Sequence, residues 1–272
     1  MRIKNKNIKL IIVDIDNTIL PIGKDRISNR TKKTFESAQK KGVSVLVDTG
    51  RHYTFLPPSL FEDMNLETIV TVNGACVNNR DGSIIYSKEM DKTSMDKIVE
   101  LADAHEMGLG FKFADQIVTY ANHEKFLAGY THNDPKQNEK ILIDDDKRAY
   151  HLTHGLPLGT FLITDETDMS EETKAIPELT FAWSSKRGFD VFQNDITKAT
   201  GAQVVLDQMG IGWDRVMAFG DAENDIPMIE KAAIGYAMKN SKQVVKDAAD
   251  GVAPDCNEDG VAQILESFGL TD

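Results

Sequence analysis

Two cysteines are all that the 272 residues contain, Cys76 and Cys256, 180 positions apart. Neither has a His or Cys beside it at metal-ligand spacing. So distant a pair argues against a disulfide framework and reads as two reduced thiols, hence a cytoplasmic protein. Long apolar runs are missing too. The run behind the basic N-terminal residues Arg2, Lys4, Lys6 and Lys9 is cut by Asp14, too early for a signal segment, and no stretch approaches the length of a membrane span. Positive charge is in short supply: 31 Lys and Arg stand against 43 Asp and Glu, a formal net charge of −12. That excludes the basic footprint of a non-specific nucleic-acid binder. It also means that an anionic substrate must be met by a metal or by a few placed cations. There is no repeat and no low-complexity tract.

What is present is a chain long enough for one large α/β domain or for two domains. Leu10–Leu20, LIIVDIDNTIL, organises it. Four apolar residues run into Asp14, Ile15, Asp16, Asn17 and Thr18, which predicts a buried parallel strand whose carboxyl end opens into a loop. In open α/β sheets ligands bind at that end. Asp14 and Asp16, two apart on a strand, would share a side, and two carboxylates so close call for a cation or a shared proton. Taken alone the stretch reads equally well as a strand followed by an Asx turn.

The pattern repeats down the chain. Val43–Val47 and Ile69–Val72 are further strand candidates with a helix predicted over Ser28–Lys41, and they end in Thr49-Gly50-Arg51 and Asn73-Gly74. Together these make a βαβαβ unit and a parallel sheet. Between about Lys88 and Asp190 the texture changes to short alternating strands and amphipathic helices, with strand candidates at Ile117–Tyr120, Phe161–Thr164 and Phe189–Phe192 and a solvated loop over 133–146. This predicts an α+β domain inserted between two halves of a Rossmann-like core, with the core at 1–87 and 191–272 and the insert at 88–190. From Thr197 the α/β rhythm returns, with a helix over Ala199–Met209 and a strand at Val216–Phe219 that opens into Gly220-Asp221-Ala222-Glu223-Asn224-Asp225.

Four strand ends thus carry polar clusters, and a parallel sheet puts them on one edge. Each alone is an ordinary turn or helix cap; in combination they suggest phosphoryl transfer. Several carboxylates form a hard-oxygen site that suits Mg²⁺. Asp14 has the chemistry of a nucleophile that forms an acyl phosphate, and Asp16 that of a general acid and base. Thr49 and Gly50 offer a hydroxyl and backbone N–H groups to phosphate oxygens. Lys198 can neutralise both phosphate and nucleophile.

With those residues in view, the sequence resembles the haloacid dehalogenase superfamily of phosphohydrolases: DIDNT at 14–18, TGR at 49–51, Lys198 and GDAEND at 220–225 look like its four motifs. NGA at 73–75, AMKNS at 237–241 and the later NEDGVA look like its Cof-type subgroup, which carries a large α+β cap. The resemblance implies a Mg²⁺-dependent phosphatase of a small phosphorylated metabolite, a sugar phosphate by default and a phosphorylated cofactor after that. It implies an aspartyl-phosphate intermediate on Asp14, with Mg²⁺ on Asp14, the Asp16 main-chain carbonyl and Asp221, and with Asp225 in support. Asn224 would orient Lys198 and the phosphate. A phosphotransferase or phosphomutase on the same scaffold is the alternative, and a non-catalytic metabolite-binding protein is a third reading. A monomer, or at most a weak homo-oligomer, is expected.

Three positions depart from the family pattern. Asn17 stands where Gly is usual and must accept a positive φ. Ala199 follows Lys198 where Gly is frequent. Asp48 precedes Thr49 where a small apolar residue is usual, and so alters the local electrostatics. For the cap, Phe111, Lys112, Phe113, Trp183 and Arg187 are candidate liners, although aromatic residues so placed are more often core.

Overall fold

A computed structural model describes residues 7–21, 23–141, 143–184 and 187–271; Arg2, Lys4 and Lys6 of the basic N-terminus, and Leu142 within the expected loop, lie outside the described residues. The chain divides into two units. One takes the described residues up to Thr49, then Leu56–Ile85, then the chain from Thr197 onward. The other takes Gly50–Phe55 and Tyr86–Ile196.

The first unit is built on an eight-stranded sheet in the order Gly251–Ala253, Ile234–Met238, Val216–Gly220, Leu10–Val13, Ser44–Asp48, Thr68–Thr71, Cys76–Asn79, Ile84–Ser87. The first six in that order are parallel, and Cys76–Asn79 turns antiparallel. Leu10–Val13 lies at the centre, buried along its whole length, which is why it reads as a continuous apolar run. The helix Asn29–Lys40 is capped by Ser28, whose side chain accepts from the Thr31 N–H, and it ends before Gly42 at φ +77°. Lys198–Met209 starts from Thr197, which forms a capping box with Thr200, and stops at Gly210 in the left-handed region.

The second unit holds a six-stranded sheet, in the order Leu179–Trp183, Gly188–Gln193, Gly159–Ile163, Gly108–Lys112, Ile117–Ala121, Ile143–Asp144, antiparallel except for its last pair. Gly108–Lys112, sequence GLGFK, has no strand signature, and its glycines have a packing cause. A Cβ at Gly110 would lie 2.2 Å from the Phe126 ring and one at Gly108 2.7 Å from the Phe126 nitrogen, so the bare backbone lets helix His123–Tyr130 lie on the sheet.

Of the candidate liners, Phe111 and Phe113 are fully buried in this unit's own core. Lys112, 2% exposed, pairs with Asp190 and donates to the Gly50 carbonyl at 2.8 Å. Arg187 pairs with Asp165 at the surface. His52 donates from Nε2 to the Phe113 carbonyl at 2.9 Å, and burial pushes it down to about 4, so it is a neutral structural imidazole. Among the described residues no helix is long and apolar enough to cross a membrane.

Candidate active site

The site lies at the carboxyl edge of the parallel sheet. The central strand stops at Val13, and Asp14 is tied to the next strand by its N–H donating to the Phe219 carbonyl at 3.1 Å. The chain then turns: the Thr18, Ile19 and Leu20 N–H groups all donate to the Ile15 carbonyl, and Asp16 makes an isolated bridge with Leu20. Asp14 and Asp16 are therefore not two residues of one strand. Asp14 is buried at 6% exposure whereas Asp16 is exposed; the turn, not strand alternation, sets their geometry. Asn17 takes φ +59°, the left-handed conformation that its side chain tolerates.

Lys198, at the first turn of its helix, is completely buried. Its ammonium donates to Asp14 Oδ1 at 2.6 Å and to Asp225 Oδ1 at 2.5 Å. The other oxygen of Asp225 accepts from the Asp221 and Ala222 N–H groups at 2.8 and 2.9 Å. Gly220 makes room for that loop, since a Cβ there would sit 2.3 Å from the Asp225 Cβ. Thr18 donates to Asp221 at 3.4 Å. Carboxylate oxygens of Asp14, Asp221 and Asp225 lie within 4.8 Å of one another, a group that can hold a metal ion; the exposed Asp16 side chain is outside it.

The electrostatics follow from burial. Desolvation raises Asp14 to about 7, against the pull of Lys198 and with the push of Asp225 and Asp16. Desolvation and then Asp14 raise Asp221 to about 8. For Lys198 burial works downward, but Asp14, Asp225 and Asp48 overcome it and hold the ammonium charged. Three carboxylates with one ammonium leave net negative charge in a desolvated place, the condition that a divalent cation relieves.

The phosphate-side candidates are Thr49, Gly50 and Asn224. Thr49 is buried at the end of Ser44–Asp48, with its N–H donating to the Val70 carbonyl at 3.0 Å. Gly50 falls to the second unit. Asn224 donates from Nδ2 to Asn73 Oδ1 at 2.8 Å rather than to any partner of Lys198.

In the sequence Asp48 stands out only as a departure from the family pattern. Here its carboxylate is fully buried and neither oxygen has a hydrogen-bond partner among the described residues, and desolvation lifts it well above the usual range. Because its folded value exceeds its unfolded one, stability falls as pH rises from about 4 toward the folded value. Asp48→Val should therefore stabilise the protein by about 1–3 kcal/mol, and by more at pH 8 than at pH 5. Thermal midpoints at both pH values check this, and an unchanged or lowered midpoint at pH 8 would show that the carboxylate is satisfied in solution.

A parallel sheet with an acidic, lysine-crossed carboxyl edge defines an α/β protein with a charged site at its strand ends. Comparison with known proteins narrows it. A family profile described as haloacid dehalogenase-like hydrolase matches residues 11–265. The chain is 28% identical over 271 residues to the 5-amino-6-(5-phospho-D-ribitylamino)uracil phosphatase YcsE of Bacillus subtilis (strain 168), covering 97% of each. It is 24% identical over 284 residues to the phosphatase YwpJ of the same organism, covering 95% of this chain and 99% of that one. Among solved structures, BT1666 of Bacteroides thetaiotaomicron superposes with a TM-score of 0.83 at 23% identity, over 98% of this chain and 97% of that one. The sugar phosphatase BT4131 superposes with a TM-score of 0.81 at 24% identity, over 96% and 99%. The chain belongs to the haloacid dehalogenase-like hydrolases.

Proposed function

We propose that this hydrolase is a Mg²⁺-dependent phosphatase of a small phosphorylated metabolite, acting through an aspartyl phosphate on Asp14. The observation that carries the reading is the buried Lys198 ammonium, held between Asp14 and Asp225 with the Asp221 carboxylate beside them. An ammonium fixed on one oxygen of Asp14 leaves the other to attack phosphorus, and it meets the negative charge that gathers on the transferring group. Asp16, exposed at the turn just beyond Ile15, gives a proton to the leaving oxygen and takes one from the attacking water. Thr49, Gly50, Lys198 and Asn224 hold the phosphoryl oxygens.

The donors suit Mg²⁺, which asks for hard oxygen ligands. Asp14, Asp221 and the Asp16 main-chain carbonyl would hold it. Asp225, with both oxygens already accepting hydrogen bonds, supports it through water. When bound, the ion offsets negative charge between nucleophile and phosphate. In this reading residues 1–87 and 191–272 carry the chemistry and 88–190 select the leaving group. The relative named for a phosphoribitylamino-uracil and the neighbour named a sugar phosphatase support a phosphorylated sugar or sugar-like substrate.

The test is hydrolysis of para-nitrophenyl phosphate, expected to stop with EDTA and return with Mg²⁺. Because Asp14 and Asp221 must ionise to bind the ion, and metal-free they sit at about 7 and about 8, Mg²⁺ should raise the thermal midpoint more at pH 8 than at pH 5. Hydrolysis that survives thorough chelation would refute the metal site.

A further inference from the structure

After Thr71 the chain places three successive residues in the left-handed region: Val72 at φ +50°, Asn73 at φ +54° and Gly74 at φ +97°. A glycine adopts this freely and an asparagine tolerates it, but a β-branched valine there is a true outlier. Such an outlier persists only where its surroundings over-determine it, and here they do.

Gly74 is pressed against the start of the Lys198 helix; a Cβ on it would lie 1.9 Å from the Thr197 carbonyl oxygen. Gly201, one turn into that helix, would clash in return, its Cβ 2.6 Å from the Gly74 Cα. The Asn73 N–H donates to the Thr49 carbonyl at 3.1 Å. The Asn73 side chain, 2% exposed, accepts from Asn224 Nδ2 at 2.8 Å across 151 positions of sequence. One strained turn thus touches Thr49, the helix of Lys198 and Asn224.

We propose that Asn73 is a positioning residue of the active site: its backbone N–H fixes Thr49 and its side-chain oxygen fixes the Asn224 amide, so that the left-handed turn sets Thr49 and Asn224, two of the uncharged phosphate ligands, as one unit. The proposal rests on the phosphatase reading above. It places no substrate contact on Asn73 itself. Asn73 acts through Asn224, and its loss should weaken hold of the phosphoryl group without touching the nucleophile.

The experiment is a double-variant cycle on the full chain with Mg²⁺, reading kcat and KM for para-nitrophenyl phosphate and inhibition by inorganic phosphate. Asn73→Gly keeps the positive φ accessible while deleting the amide. It is expected to raise KM and the phosphate inhibition constant about 3–10-fold, the worth of one hydrogen bond, with kcat changed less than KM. Asn224→Ala should do at least as much, and the double variant no more than Asn224→Ala alone. Effects that multiply in the double variant, or an Asn73→Gly indistinguishable from the parent, would overturn the proposal. Should Asn73→Gly fail to fold, Asn73→Asp keeps an oxygen for Asn224 and the tolerance of positive φ. A KM close to the parent's then supports the proposal, and a KM shifted as far as by Asn224→Ala overturns it. A parent that neither hydrolyses the ester nor binds phosphate removes the phosphatase reading and this proposal together. An active parent with independent variants removes Asn73 alone.

Discussion

Replacing Asp14 by Asn is expected to lower hydrolysis of para-nitrophenyl phosphate by at least about 10⁴-fold, the scale on which removal of a covalent nucleophile acts. The amide keeps an oxygen where Lys198 donates at 2.6 Å, so the buried network retains its shape while the group that attacks phosphorus is gone. The fold control carries its own sign. Burial holds Asp14 at about 7 in the metal-free protein, above its ordinary 3.8. A carboxyl raised in the folded state is ionised first in the unfolded state, and it therefore costs stability as pH rises through that interval. Asn does not titrate, so at pH 8 without Mg²⁺ the variant should be no less stable than the parent. Kinetics and thermal midpoints on the same preparation check both parts. Turnover above that of a mock purification would remove Asp14 as the nucleophile.

Lys198→Met should cost about 3–5 kcal/mol of stability at neutral pH, the penalty for taking one partner out of a buried ion pair. Methionine fills the space of the stem but leaves Asp14, Asp225 and Asp48 together without their cation. Asp14, Asp225 and Asp48 hold the Lys198 proton well above the usual lysine range, so its stabilisation is fully present at every pH below the ordinary lysine value. Asp14 and Asp48, both raised by burial, set the lower limit, because they protonate on acidification. The deficit of the variant should consequently be larger at pH 8 than at pH 5, and urea midpoints at the two values measure it. Turnover should fall by at least about 10²–10³-fold, as when one fixed donor to developing negative charge is removed. Equal stability of variant and parent at pH 8 would mean that the three carboxylates are balanced by something other than this ammonium.

How much of this was legible in advance depended on whether local pattern or distant packing decided each position. Leu10–Val13 announced itself because a strand buried on both faces must be apolar throughout. The following helix, expected over Ser28–Lys41, was legible because the capping chemistry of Ser28 and Gly42 acts within a few residues. Asn17 was readable as a left-handed residue because the family pattern has Gly there, and its φ is +59°. The position of Asp16 was not: the expectation of a shared strand face failed because three N–H groups converge on the Ile15 carbonyl and roll the chain into a turn right after Asp14. Gly108–Lys112 was missed because its glycines answer to Phe126, a residue on another element. Val72 gives no sign in sequence of a positive φ. Its neighbours Asn73 and Gly74 did look like a turn, but only the packing of Thr197 and Gly201 shows why the turn must be so tight. The bond between Asn224 and Asn73 and the isolation of the Asp48 carboxyl are likewise properties of the folded chain alone.

The central strand has a history that its final burial conceals. Leu10–Val13 pairs on one side with Ser44–Val47 and on the other with Val216–Phe219, where Leu10 meets a residue 206 positions further on. At a synthesis rate of roughly 5–20 residues per second, the second neighbour emerges from a ribosome about 10–40 s after the first strand does. Throughout that interval a strand with no charged side chain of its own has an open edge, and open apolar edges recruit other chains. The whole inserted segment is made in the meantime. For this protein the hazardous moment in biogenesis comes before its parallel sheet is complete, and the arrival of Val216–Gly220 ends it.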